Sequence, residues 1–410
     1  MTLKRVTKGS YAVLFACVLA HFFNHLYTGV LSPFLPVIRD ELSLNLTEVG
    51  IVTSASVVTM TTAHLGVGYL GDRGWRDIFI PASVLLTAFT ILLTSISVGF
   101  LMLALTQVLL GLAASGYHPS AFPALTENFP DDTRAQATGI QAIGGLIGMA
   151  LIPLLGVTLL VYLGGWRESL GLLGSIGIIT GIPVIFLMRY SRRNTVEEFT
   201  KENKKTGTKG WTKGFVLGIF YMALRGMAFR CTTLLMPLYL VETYGYEPLW
   251  AGSLTTVMLT SGIFAELIAG PLSDRTGKRA IFMMFSTGVS AVAIFSLNLT
   301  LSPIMLIVVL IVLGFAYYFG VPPNTAFLTE VSPEDTQGLA FGLLFSLGAI
   351  PGAISPIIFG IIGDLYGLPA SITYLVIATT LATIVALFLR DLKKPSVKAT
   401  GALESRAETA

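Results

Sequence analysis

All four histidines of this 410-residue chain, His21, His25, His64 and His118, fall in apolar stretches, and so do Arg225, Arg230 and Glu266. An ionisable group in a lipid-spanning stretch costs about 2.5–3.5 kcal/mol on insertion scales and usually faces a protected interior. His21, Asn24 and His25 stand at i, i+3 and i+4, on one face of a helix. An imidazole changes charge close to neutral pH, which suits proton handling. His21 and His25 also have the spacing of two zinc ligands. The metalloprotease form of that pair needs a Glu after the first His, and Phe22 stands there. No acidic or histidine partner is near in sequence, so no metal site is expected. Each histidine has a plainer reading, as a structural residue bonded to Ser, Thr or a carbonyl, and His64 fits that reading best. Arg225 and Arg230 keep their charge. With the histidines they would make an enclosed space positive, suited to a carboxylate or phosphonate held by guanidinium forks. The alternative is that Arg225 snorkels or pairs with Glu266. Tyr117, Tyr221, Tyr317, Tyr318 and Asn324 could add hydrogen bonds, and His118 belongs to the same candidate set. No nucleophile–base pair appears, so no enzyme and no cofactor is expected.

These residues need elements that bring them together. The chain is 53% hydrophobic and 12% charged, with mean hydropathy +0.77. That is about half the usual charged fraction of roughly 25% in soluble domains, which points to an all-α membrane protein. The net charge of +3 implies no nucleic-acid partner. Cys17 and Cys231 both lie in apolar runs and make no disulfide framework. Twelve stretches are long enough to span a bilayer: 10–37, 46–70, 77–97, 99–128, 134–162, 167–188, 213–241, 248–271, 279–298, 303–329, 336–362 and 369–389. The first follows Lys4, Arg5 and Lys8 but is too long for a signal peptide, so it is expected to be retained. Placing both termini on one side gathers there every Lys and Arg except Arg39, Arg167, Arg225 and Arg230. By the positive-inside rule both termini are cytoplasmic. The expected organisation is a first six-span half at 1–190, a polar cytoplasmic linker at 191–212, a second half at 213–391, and a disordered tail at 392–410.

The halves repeat one another. TENFPDDTRAQATG (126–139) aligns with TEVSPEDTQGLAFG (329–342) at an offset of 203, and GYLGDRGWR (68–76) aligns with GPLSDRTGKR (270–279) at 202. Identity in polar loops at one offset argues for two pseudo-symmetric six-helix units with a transport path between them. At an offset of 204, Pro33 meets Pro237 and His21 falls opposite Arg225. Pro322-Pro323 should break span ten opposite His118-Pro119, where unwound backbone beside a cavity is expected.

The paired loops resemble the conserved cytoplasmic loop motif of the major facilitator superfamily: a glycine, then Asp-Arg-x-Gly and two basic residues. GPLSDRTGKR supplies Gly270, Asp274, Arg275, Gly277 and Arg279. The first copy supplies Gly68, Asp72 and Arg73, with its second glycine one place early. GIIGDLYG (360–367) echoes the motif after span eleven. The resemblance covers all twelve spans. It implies the twelve-helix major facilitator fold, a monomer, a small-molecule substrate and a multi-pass place in the plasma (inner) membrane. Gly68 and Gly270 are expected to let helices approach closely. Asp72 and Asp274 are expected to pair with Arg73, Arg275 or neighbouring cations in a releasable lock. Exporters of this superfamily carry a glycine pattern in span five, and here its register gives Gly139, Gly148, Pro153 and Gly156, with Ile152 and Val157 departing. Drug/proton antiporters carry an arginine four residues before the position of Gly111; this chain has Gln107. The segment GLAASGYHPSAFPAL (111–125) is similar to the fosmidomycin-resistance branch. The function expected is proton-coupled export of a small organic anion or drug by alternating access. The alternatives are proton-coupled uptake of an organic acid and, from another class, a transporter-like membrane sensor.

Overall fold

The computed structural model describes residues 6–194, 208, 210–333 and 343–391. Most of the expected linker, the expected tail and the start of the eleventh span lie outside them. The helices are α1 (Lys8–Thr28), α2 (Leu35–Glu41), α3 (Leu46–Leu70), α4 (Arg76–Ser95), α5 (Phe100–Ala114), α6 (His118–Asn128), α7 (Asp131–Leu163) and α8 (Trp166–Asn194) in the first half. The second half holds α9 (Lys213–Tyr244), α10 (Pro248–Thr276), α11 (Arg279–Ser296), α12 (Pro303–Phe319), α13 (Val321–Val331), α14 (Ile350–Tyr366) and α15 (Leu368–Leu387). Among the described residues eleven helical stretches are long and apolar enough to cross a membrane. The shorter α14 holds the place of the remaining crossing. The protein is therefore an all-helical membrane protein of two six-helix halves, as its hydropathy dictates.

Crossings one, four and ten are interrupted where the sequence weakens the helix ladder. Crossing one pauses at residues 29–31, between α1 and a short 3-10 turn that opens into α2. Crossing four pauses at residues 115–117, and Pro119 sits in the first turn of the helix that resumes. A proline is tolerated there because that N–H has no helical partner. Crossing ten pauses at Gly320, with Pro322 and Pro323 in the first turn of α13. The second and third breaks fall at the pseudo-symmetric places expected of them.

Packing repeats with the sequence. A Cβ on Gly111 would collide with the Ser56 carbonyl, and one on Gly314 would collide with the Met258 carbonyl. These are the α5–α3 and α12–α10 crossings, and each glycine admits the neighbouring backbone. Arg76 pairs with Glu127, and Arg279 pairs with Glu330 at 3.3 Å. Gly74 (φ +94°) and Gly277 (φ +65°) both adopt the left-handed conformation that favours glycine. The glycine that looks one place early in the first loop motif is thus the conformational equivalent of Gly277.

The loop motif also corrects the sequence reading. Among the described residues, a Cβ on Gly68 would meet nothing within 4 Å, and one on Gly270 only Pro322 at 3.7 Å. Neither glycine marks a close helix approach. Asp274 pairs with Arg279 (2.7 Å) rather than Arg275, and Arg279 also donates to Ser273 Oγ (2.7 Å). Arg73 lies over the Tyr69 ring at 4.3 Å. The side chain of Asp72 lies outside the described residues, as do Asp335 and Thr336 of the repeat.

The halves meet on α3 against α14 and on α7 against α10. At the face opposite the one where α1 begins, Arg39 pairs with Glu242 across the halves. Ser32 Oγ donates to the Leu234 carbonyl (2.7 Å). Asp364 of the second half accepts from the Leu46 and Thr47 N–H groups (2.9 and 2.8 Å) and from Thr47 Oγ1 (2.6 Å). Asn45 and Glu48 complete a capping box on the same helix start. The first N–H groups of α3 are thus capped partly by the opposite half, and their partner leaves if this face opens. Asp364→Ala should destabilise this closed face by about 1 kcal/mol, the usual cost of removing a cap. A thiol-labelling assay on a buried Ser32→Cys reporter should then react roughly fivefold faster; an unchanged rate contradicts the capping role.

Candidate functional site

A cavity of about 390 Å³ lies between the halves. His21 and His25 of α1 line it from one side, Arg225 and Arg230 of α9 from the other. Glu266, Tyr318, Asn324 and Phe229 complete much of the wall. Of the α1 face His21, Asn24 and His25, the first and last line this cavity and Asn24 does not.

Arg225 is buried, and its Nη2 donates to the Tyr317 carbonyl at 2.6 Å. That carbonyl belongs to the last turn of α12, just before the break at Gly320, where backbone acceptors lose their helical partners. Its guanidinium also lies 5.2 Å from the Phe229 ring centre, and its buried Nε has no hydrogen-bond partner. One edge of the fork is thus anchored and another donor remains for a ligand. Glu266 lies within electrostatic reach of Arg225, closer to the cavity than its place near a helix end suggests. Asn324 is buried with Oδ1 unpartnered. Tyr318 donates to Met149 Sδ (3.2 Å), across the halves.

On the other wall the histidines converge. The ring of His21 stands 4.7 Å from His25 and 5.3 Å from His118. His25 and His118 are 5.6 Å apart, and His64 is 6.1 Å from His118. His64 thus joins the group instead of standing apart as a packing residue. Among the described residues His21 meets the rings of His25, His118 and Tyr117 and bonds to Gln141, whereas Arg225 lines the same cavity from the opposite wall.

Several expected residues take other roles. Asn24 is buried away from the cavity wall and donates to the Ala114 carbonyl (2.9 Å), tying α1 to the end of α5. Tyr117 stacks on His21 and donates to the Cys17 carbonyl (2.7 Å). Tyr221 donates to the Met283 carbonyl (3.0 Å). Tyr317 is buried, its hydroxyl bonded to Thr232 (3.0 Å), and it contributes only its backbone to Arg225.

In α7, a Cβ on Gly148 would collide with the Phe22 carbonyl, and one on Gly156 with Pro33. Gly144 meets Val18 in the same way, and Gly145 the His21 ring. Among the described residues Gly139 meets nothing. The glycines therefore seat crossing one against α7, and Pro153 lines the cavity. Gln141 and Gly145, both against His21, do not stand out in the sequence as site residues. Their one signal is spacing: Gln141, Gly145 and Gly148 share a face of α7.

The profile of the Major Facilitator Superfamily matches residues 17–254 and 218–409. The "Probable sulfoacetate transporter SauU" of Cupriavidus necator is 24% identical over 384 residues, covering 87% of this chain and 88% of that protein. The "Uncharacterized MFS-type transporter YfnC" of Bacillus subtilis is 23% identical over 363 residues, covering 84% and 85%. Among solved structures, a bacterial homolog of the human lysosomal transporter Spinster, in an inward-facing and occupied conformation, superposes with a TM-score of 0.78 at 17% identity. That match covers 94% of this chain and 98% of the other.

Proposed function

Because this chain belongs to the Major Facilitator Superfamily, and is a membrane transporter rather than an enzyme, we propose that it exports a small organic anion by alternating access, driven by the proton gradient. The observation that carries the reading is the pair Arg225 and Arg230 on one cavity wall. A fixed guanidinium charge inside a membrane is expensive, and an anionic ligand offsets it through charge-assisted hydrogen bonds. Asn324 and Tyr318 supply further polar contacts. One relative is named for sulfoacetate, an organic anion, which supports the class. Proton coupling fits the membrane-embedded histidines, since imidazole is the side chain whose ordinary pKa lies nearest neutral pH. The outward direction follows the glycine–proline spacing of α7, through Gly148, Pro153 and Gly156. In this reading residues 1–190 and 213–391 rock as two units of a monomer in the plasma membrane, with both termini in the cytoplasm.

The test uses purified protein with sulfoacetate and methylphosphonate as anionic probes and tetraphenylphosphonium as a cationic one. The anions should raise the unfolding temperature, since a ligand that binds only the folded state stabilises it. A shift with the cation alone sinks the anion reading. In proteoliposomes of fixed orientation, anion movement should follow an imposed pH gradient. Movement indifferent to the gradient removes the coupling, and gradient-driven movement toward the face bearing the termini makes the protein an importer.

A further inference from the structure

His21 lies midway along α1, His25 one turn further on, and His118 where α6 resumes after the break. One ring nitrogen from each lies within 4.8 Å of the other two. The Nδ1 of His21 is 2.9 Å from the Gln141 carbonyl, which can only accept, so Nδ1 carries the hydrogen. Its Nε2 then presents a bare lone pair, and that atom is buried with no hydrogen-bond partner. The Gln141 side-chain nitrogen stands 3.0 Å from the same Nδ1. A half-turn of that amide puts its oxygen there instead, a second acceptor for the same hydrogen, and the Tyr117 hydroxyl then donates to that oxygen in place of the Cys17 carbonyl. An imidazole whose far N–H is held by a carbonyl is the usual partner arrangement around a metal ligand. Gly145 leaves room for it, since a Cβ there would sit 2.6 Å from His21 Nε2.

We propose that His21, His25 and His118 form a binding site for a divalent transition-metal ion of the zinc type, open to the transport cavity. Three neutral nitrogens select zinc, cobalt or nickel over magnesium and calcium, which want oxygen. Zinc–nitrogen bonds of about 2.0–2.1 Å bring tetrahedral ligand atoms to roughly 3.4 Å from one another, so the rings close inward by about an ångström around the ion. His25 borders the cavity and has the space to do so. The fourth position faces the cavity. Arg230 lies within electrostatic reach of His25 and His118 and opposes a lone dication, so an oxygen anion completes the tetrahedron. This fourth ligand rests on the anion reading of the cavity, whereas the three-imidazole site does not.

The test is calorimetric titration of the purified full-length protein with zinc chloride, together with the visible absorption of tetrahedral cobalt on adding cobalt chloride. One saturable site per chain is expected. His25→Gln and His118→Gln, which keep side-chain bulk, should each weaken it tenfold or more, on the scale of losses around metal ligands. His64→Gln and Arg225→Ala should leave it in place, and all variants should elute as the parent does. No saturable zinc binding, or binding that both His25→Gln and His118→Gln leave intact, overturns the site. Intact zinc binding with no response to sulfoacetate counts against the proposed function and leaves the metal site standing.

Discussion

Arg225→Ala is expected to lower the apparent affinity for an organic anion by roughly 30- to 1000-fold, while the protein still folds and reaches the membrane. That range takes about 2–4 kcal/mol for a charge-assisted hydrogen bond removed from a desolvated site, at 1.4 kcal/mol per tenfold. Folding should survive because the substitution removes a charge that membrane insertion penalises. What it gives up is the hydrogen bond from Nη2 to the Tyr317 carbonyl and the contact with the Phe229 ring. Arg225→Lys should recover part of the affinity, since it restores the charge but not the fork that holds Tyr317 and presents Nε together. A structural role would show the reverse order: expression would fall first, with affinity unchanged in whatever protein remained. The measurement is sulfoacetate transport into proteoliposomes across a concentration series, with surface expression scored alongside. Wild-type affinity in Arg225→Ala removes Arg225 from the site and with it the anion reading.

That His21 and Arg225 belong to membrane helices was legible because the physics is local, whereas Arg225 came to stand opposite His21 only through the repeat, at an offset of 204. An apolar run of fixed length must become a membrane helix, and polar residues at i, i+3 and i+4 share its inner face. The breaks at residues 115–117 and at Gly320 were legible for the same reason, as glycine and proline punctuate a helix wherever it lies. His118 was legible as a member of the same set, but its approach to within 5.3 Å of the His21 ring was not. Those residues are far apart in sequence, and their meeting depends on how α6 restarts after its break and crosses α1. No periodicity within either segment encodes that.

The repeat held more than its identities suggested. Glu127 and Glu330 were visible as a matched pair, but their partners Arg76 and Arg279 become equivalent only once the left-handed glycines Gly74 and Gly277 are seen to align. Gly68 and Gly270 misled in the other direction. A glycine in a conserved motif signals a close approach only if a neighbour is there, and among the described residues none presses on either. Gly111 and Gly314, which do admit a neighbouring backbone, lie in apolar sequence and match one another at the repeat offset of 203.

Gly50→Val is expected to abolish the closed conformation of this face without unfolding the protein. A Cβ on Gly50 of α3 would collide with the Pro356 carbonyl of α14, in the other half. Its repeat counterpart Gly252 of α10 faces the Pro153 carbonyl of α7, where a Cβ would lie 2.7 Å away. Both glycines close the face opposite the chain termini, and both sit on surfaces that alternating access must separate. Overpacking a seated contact costs about 1–3 kcal/mol. Where two conformations differ by only a few kcal/mol, that is enough to shift their ratio by roughly 5- to 150-fold. The penalty applies only while the face is closed, so the chain escapes it by staying open there. Gly111→Val carries a similar clash, against the Ser56 carbonyl, but α3 and α5 belong to one half and have no open state to escape into; that variant should fail to express instead. The distinction is measurable with Ser32→Cys in a background lacking Cys17 and Cys231. Ser32 is buried and bonded across the halves to the Leu234 carbonyl. Gly50→Val and Gly252→Val should each expose this thiol to a membrane-impermeant maleimide and stop transport at normal expression. If the thiol stays protected, or if Gly50→Val disappears from the membrane as Gly111→Val does, the packing is static and the closed face is not a gate.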